Sequence, residues 1–147
     1  MIRKTMLAAA LALAPLPVQA QSAPAVEPVT VEYYYRIKWG SLDEFQRLYA
    51  KNHQPLLDEM KKQGLITALK SEVPFTHMAG GPRWDLRVTI TFRDAAIAVV
   101  PGGEYDKAVA AVGKRLFPDK DKFLAEEAAR FALLEEHWDV IVIKAGD

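Results

Sequence analysis

The chain has no cysteine in its 147 residues. That excludes disulfides, a thiolate nucleophile and every Cys-ligated zinc or iron–sulfur site. Stability must come from packing, with or without a subunit interface. Histidine is nearly as scarce, with three copies, His53, His77 and His137. They sit far apart, and neither His-x-x-x-His nor His-Glu-x-x-His spacing occurs, so no metal site is expected. There is no run of basic residues, and Lys plus Arg equal Asp plus Glu at 19 each, which points away from nucleic acid. No Gly-rich phosphate loop is present, because Pro101-Gly102-Gly103 has no Lys-Ser/Thr beside it. No Gly-x-Ser-x-Gly elbow offers a serine nucleophile.

The first twenty residues, MIRKTMLAAALALAPLPVQA, have the three parts of a secretory signal peptide. Arg3 and Lys4 form the basic start, residues 6–16 the apolar stretch, and Val18-Gln19-Ala20 the small-x-small ending accepted by signal peptidase. The apolar stretch falls short of the roughly 20 residues that cross a bilayer, and Pro15 and Pro17 interrupt it. Cleavage near Ala20-Gln21 leaves 17 basic against 19 acidic side chains and a mature chain of one domain's size. The expected location is periplasmic or secreted, with no membrane span in the mature chain. Soluble NAD(P)H and reduced flavin are not freely supplied there, which favours a cofactor-free or purely binding role.

Residues 21–28 (QSAPAVEP) read as a mobile linker, and residues 29–147 as a single domain. Residues 29–39 alternate, with Val31, Tyr33, Tyr35, Ile37 and Trp39 on one face of a strand. Ser41 to Glu44 has a capping-box pattern that opens a helix, Gly64 closes it, and Pro55 breaks it near Asn52. Residues 65–73 form a second strand, 74–83 a loop, and 84–93 a third strand with Trp84, Leu86, Val88, Ile90 and Phe92 on its apolar face. Asp94 caps a short turn, residues 104–116 form a helix, and Pro118-Asp119 starts a longer helix with Phe123, Phe131, Leu134 and Trp138 on one stripe. Residues 140–144 are expected to form a short buried strand. The order β-α-β-β-α-β predicts an α+β, ferredoxin-like fold with a four-stranded antiparallel sheet, its first and third strands side by side at the centre.

This order, with His53-Gln54-Pro55-Leu56 in the first helix and Gly81-Pro82-Arg83-Trp84-Asp85 entering the third strand, resembles the dimeric α/β-barrel superfamily. The likeness is to its EthD-type, NIPSNAP-like and antibiotic-biosynthesis monooxygenase groups. The resemblance implies a homodimer that packs two open sheet faces together, forming a dimeric α/β barrel, with a small-molecule cavity in each subunit. Haem binding occurs in the superfamily. His53, His77 and His137 each offer an axial ligand, but no spacing favours one, so no cofactor is expected and haem stays open.

His53 stands at the edge of the helical stripe of Phe45, Tyr49, Leu56 and Met60. Its near-neutral reference pKa suits an acid–base group, and an equally good reading is a structural histidine satisfying backbone freed by Pro55. Tyr34, Arg36, Asp85 and Arg87 share the polar face of the two central strands. They could orient an anionic or phenolic ligand, or form a salt-bridged layer at a dimer contact. His77 lies on the long hairpin loop, where a ligand-binding role and a solvated one both fit. Trp138 is expected in the core and His137 at a helix C-terminus. Two functional readings follow. One is an exported small-molecule-binding protein, which extends to a cofactor-independent enzyme on a small apolar or aromatic compound with His53 as acid–base group. The other is a non-enzymatic interaction domain whose polar sheet face is only a dimer contact.

Overall fold

The structure, a computed structural model, describes residues 27–143. The signal peptide, most of the 21–28 linker and Lys144 lie outside the described residues. The elements run β1 (Val29–Ile37), α1 (Leu42–Leu48), a π-helical turn (Tyr49–His53), α2 (Gln54–Lys62), β2 (Ile66–Glu72), β3 (Leu86–Phe92), α3 (Ala95–Val99), α4 (Glu104–Leu116), α5 (Lys120–Ala132) and β4 (Leu134–Val142). The strands form one antiparallel sheet in the order β2-β3-β1-β4. The fold is α+β and ferredoxin-like, with β1 and β3 central as the sequence predicts.

Period-two alternation sorts the two central strands into faces. Val31, Tyr35 and Ile37 of β1 and Leu86, Val88, Ile90 and Phe92 of β3 are buried. They join Phe45, Met60, Ile97 and Val112 from the helices, and Phe123 of α5 packs against the same cluster. All five helices therefore cover one side of the sheet. The other side carries Thr30, Glu32 and Tyr34 opposite Thr91, Thr89 and Arg87. Trp39 departs from its expected place. The chain leaves the sheet after Ile37, so the indole lies 67% exposed beneath the Arg83 guanidinium, 4.0 Å from its ring centre.

Pro55 breaks the first helix where expected. Lacking an N–H, it cannot bond the Lys51 carbonyl four residues back, and its ring would clash there. The chain widens by one π-helical turn, in which the Gln54 N–H donates to the Tyr49 carbonyl five residues back. Asn52, buried in this turn, donates to Glu126 of α5 at 3.1 Å. The capping box at Ser41 does not form, because the Ser41 side chain makes no cap bond and Glu44 is held by Arg47 one turn later. Asp94 and Asp119 do cap α3 and α5, accepting from the backbone N–H of Ile97 and Lys122. Gly64 ends α2 at φ +74°, a left-handed conformation that L side chains rarely adopt.

The last strand is the main departure. The long helix stops at Ala132, and Leu134–Val142 forms a nine-residue strand paired with β1. Leu134 and Trp138 thus lie on a strand rather than on a helical stripe with Phe131. The misreading has a physical cause: β4 is an edge strand, and its Glu135, Glu136 and Asp139 obscure the alternation as charged edge residues do. The apolar end is not buried, since Val140, Ile141 and Val142 are 46%, 51% and 43% exposed. Trp138 lies on the open face, stacked on Tyr34 at 5.3 Å between ring centres.

Met60 is fully buried where α2 meets the sheet. Met60→Ala is expected to cost about 2–5 kcal/mol, read as a lowered urea midpoint with an unchanged m-value.

Candidate functional site

Between the helices and the sheet lies a solvent-open cavity of about 220 Å³. Tyr33 and Tyr35 of β1 and Val88 and Ile90 of β3 form its floor. Tyr49 and His53 reach it from the π-helical turn, Tyr105 from α4, Arg130 and Phe131 from the end of α5, and His137 from β4. The widened turn matters here. It carries the buried Tyr49 and Asn52 and the half-buried His53 within a single turn. The His53 ring packs beside Tyr49 with centres 5.0 Å apart.

The His53 pKa is lowered to about 4, first by burial and then by the Arg130 cation, with His137 adding to the effect and Glu127 opposing it. The imidazole is therefore neutral at pH 7 and keeps a lone pair. Burial pushes the Tyr35 and Tyr105 hydroxyls up to about 12 and raises Tyr49 further, so these groups remain protonated donors. His137 stacks on Tyr35 at 4.3 Å and 12°. Its Nδ1 lies 2.8 Å from the Tyr34 carbonyl. A carbonyl only accepts, so Nδ1 carries the proton, leaving Nε2 as the other available ring nitrogen.

Arg130 is 2% exposed. Its Nε and Nη2 donate to Glu127 at 3.1 and 2.6 Å. Its guanidinium lies near the rings of Phe131, Phe45 and Tyr49, at 4.6, 5.5 and 5.6 Å. Arg130 Nη1 and the Tyr49 hydroxyl are both buried and have no hydrogen-bond partner among the described residues. Sequence reading missed Arg130. The available signal was its position seven residues after Phe123, which puts a cation on the inward face of α5. His137 was assigned to a helix end, and correct placement of β4 would have set it opposite Tyr35.

The other expected site residues are not brought to His53. Tyr34 and Arg87 pair across β1 and β3 on the open face. The Tyr34 hydroxyl donates to Glu32, and Arg87 donates to Glu72 at 2.7 Å while lying over Trp84. Arg36 pairs with Glu135 and Glu136 of β4 at 3.2 and 2.7 Å. Asp85 acts as a local tie: its carboxylate accepts from the Ile37 N–H at 2.7 Å and from the buried Arg83 at 2.9 Å, while Arg83 also donates to the Ile37 carbonyl. His77 is exposed and lines a separate cleft with Trp39, Phe75 and Trp84.

Two measurements check these assignments. Asp85→Ala leaves the buried Arg83 without its main carboxylate and should destabilise the fold by about 2–3 kcal/mol in urea unfolding. His53 binds a proton more readily in the unfolded chain, near its reference value of 6.5, than in the fold, near 4. Its contribution is therefore complete above pH 6.5 and lost as pH falls through 4, amounting to at most about 3 kcal/mol. The fall in Tm across that window should be shallower in His53→Asn.

No family model and no curated protein sequence matches the chain. In chain path it is similar to a NIPSNAP family protein from Agrobacterium tumefaciens, with TM-score 0.48, 14% identity, and 85% of this chain and 92% of that one covered. It is likewise similar to a NIPSNAP domain protein from Burkholderia xenovorans, with TM-score 0.42, 18% identity and coverage of 81% and 95%. A third is a dimeric ferredoxin-like protein from Thermobifida fusca, with TM-score 0.42, 14% identity and coverage of 83% and 95%.

Proposed function

We propose that the protein is an exported small-molecule-binding protein, working as a cofactor-independent enzyme with His53 as its acid–base group. The observation that carries this reading is the cavity itself. It opens to solvent beside the exposed Phe131 and His137, and seven rings line it, five of tyrosine and phenylalanine and two imidazoles, with polar tips converging on it. Neutral His53 is suited to accept a proton from a bound compound and return it. Protonated tyrosines beside it are suited to hold an oxygen on that compound. Export rests on the signal peptide and fits an acid–base reaction that draws on no soluble reductant.

The open sheet face supports self-association as a homodimer. Tyr34 stacked on Trp138, with Val140 and Val142 alongside, gives it an apolar strip, and Glu32, Arg87 and Glu72 give it internally paired charges. In this reading Tyr34, Arg36 and Arg87 serve the subunit contact, and ligand chemistry belongs to the cavity on the other side.

Native mass spectrometry of protein isolated from its own periplasm tests both parts. The expected result is a dimer carrying a small molecule that is lost in His53→Gln. Ligand occupancy unchanged by His53→Gln would remove the assigned role of His53, and a bare monomer would remove the whole reading.

A further inference from the structure

Given the reading that this cavity holds the ligand, we propose that the ligand is a single-ring aromatic carboxylate, its acid group bound by Arg130 Nη1 and the Tyr49 hydroxyl. Glu127 occupies one edge of the Arg130 guanidinium through Nε and Nη2, and Nη1 is left over. Tyr49, whose ring centre lies 5.6 Å from the same guanidinium and which lines the same cavity, has its buried hydroxyl left over as well. Burying a donor without an acceptor is costly, and a guanidinium cannot shed its proton to avoid the cost. Two unpaired donors on residues that line one cavity call for an acceptor with spare lone pairs on two oxygens. A carboxylate offers about four such sites, and the cation makes the bond charge-assisted.

The rest of the cavity selects the body of the ligand. Tyr35 and His137 stack on each other at 4.3 Å, leaving the outer face of the pair free, and Tyr33 and Phe131 add further ring surface. Flat walls of this kind suit a planar ring. The volume of about 220 Å³ lies below the roughly 300 Å³ at which pockets for larger ligands begin, so one ring with short substituents fits. Glu127 already neutralises Arg130 on its far edge. A bound carboxylate would therefore also draw a proton toward His53, linking recognition to the acid–base group.

Calorimetry with matched pairs on the unmodified protein tests the proposal: benzoate against benzamide, 4-hydroxybenzoate against its amide, and phenylacetate against phenylacetamide. Each pair keeps the ring and removes the charge. The acid of at least one pair should bind about ten- to a hundredfold more tightly than its amide. Arg130→Gln should bring that ratio close to one, and Tyr49→Phe should reduce it. The acid-to-amide ratio on the unmodified protein decides the matter even if Arg130→Gln fails to fold. Amides binding as well as acids would overturn the anionic ligand while leaving the cavity reading intact, and discrimination that survives both substitutions would overturn the assignment of the acid group to Arg130 and Tyr49. Binding of neither member of any pair would overturn both.

Discussion

The pairing of β1 with β3 on one side and β4 on the other is the constraint on which the rest of this molecule depends. A strand hydrogen-bonded along both edges holds its side chains in strict alternation between two faces. In β1 this sends Val31, Tyr35 and Ile37 under the helices and Glu32 and Tyr34 to the open side. The two chemically different surfaces of the protein follow from that one division. Asp85 and Arg83 secure the end of β1 by tying the backbone of Ile37 on both its N–H and its carbonyl.

The cavity depends on a second constraint, the proline in the first helix. A continuous α-helix would place Tyr49, Asn52 and His53 at ordinary helical offsets. Pro55 removes the hydrogen bond that would hold that geometry, and the π-helical turn absorbs the loss. Asn52 then anchors the turn to Glu126 of α5, and Arg130 on the same helix meets Tyr49. Burial beside Tyr49, reinforced by the Arg130 cation, keeps His53 neutral. No hydrogen bond from the His53 side chain to the helix ends is present among the described residues.

Much of this was legible in order and pattern. The alternation of β1 and β3, the break at Pro55, the cap at Asp94, the helix start at Pro118-Asp119 and the turn at Gly64 are local in origin, and the structure has each of them. The capping box at Ser41 failed because Arg47 competes for Glu44, a choice between partners that a motif does not express. β4 was misplaced because an edge strand is half-exposed, so burial imprints little periodicity on it. That single error carried His137 and Trp138 to the wrong element. Grouping Tyr34, Arg36, Asp85 and Arg87 by alternation located the open face correctly, but could not reveal that their charges are satisfied by Glu32, Glu72, Glu135 and Arg83.

By itself the sequence determined the kind of protein this is. The absence of cysteine, the signal-like start and the βαββαβ pattern depend on composition and on neighbours a few residues apart. Tertiary structure alone decided which of the candidate side chains come together. His53 lies far along the chain from Arg130 of α5 and His137 of β4, and none of the three carries a mark of its partners. Their convergence depends on how far the π-helical turn rotates one helix, where α5 ends, and which edge of β1 accepts the last strand. Those outcomes arise from packing and long-range backbone pairing, and residue spacing does not encode them.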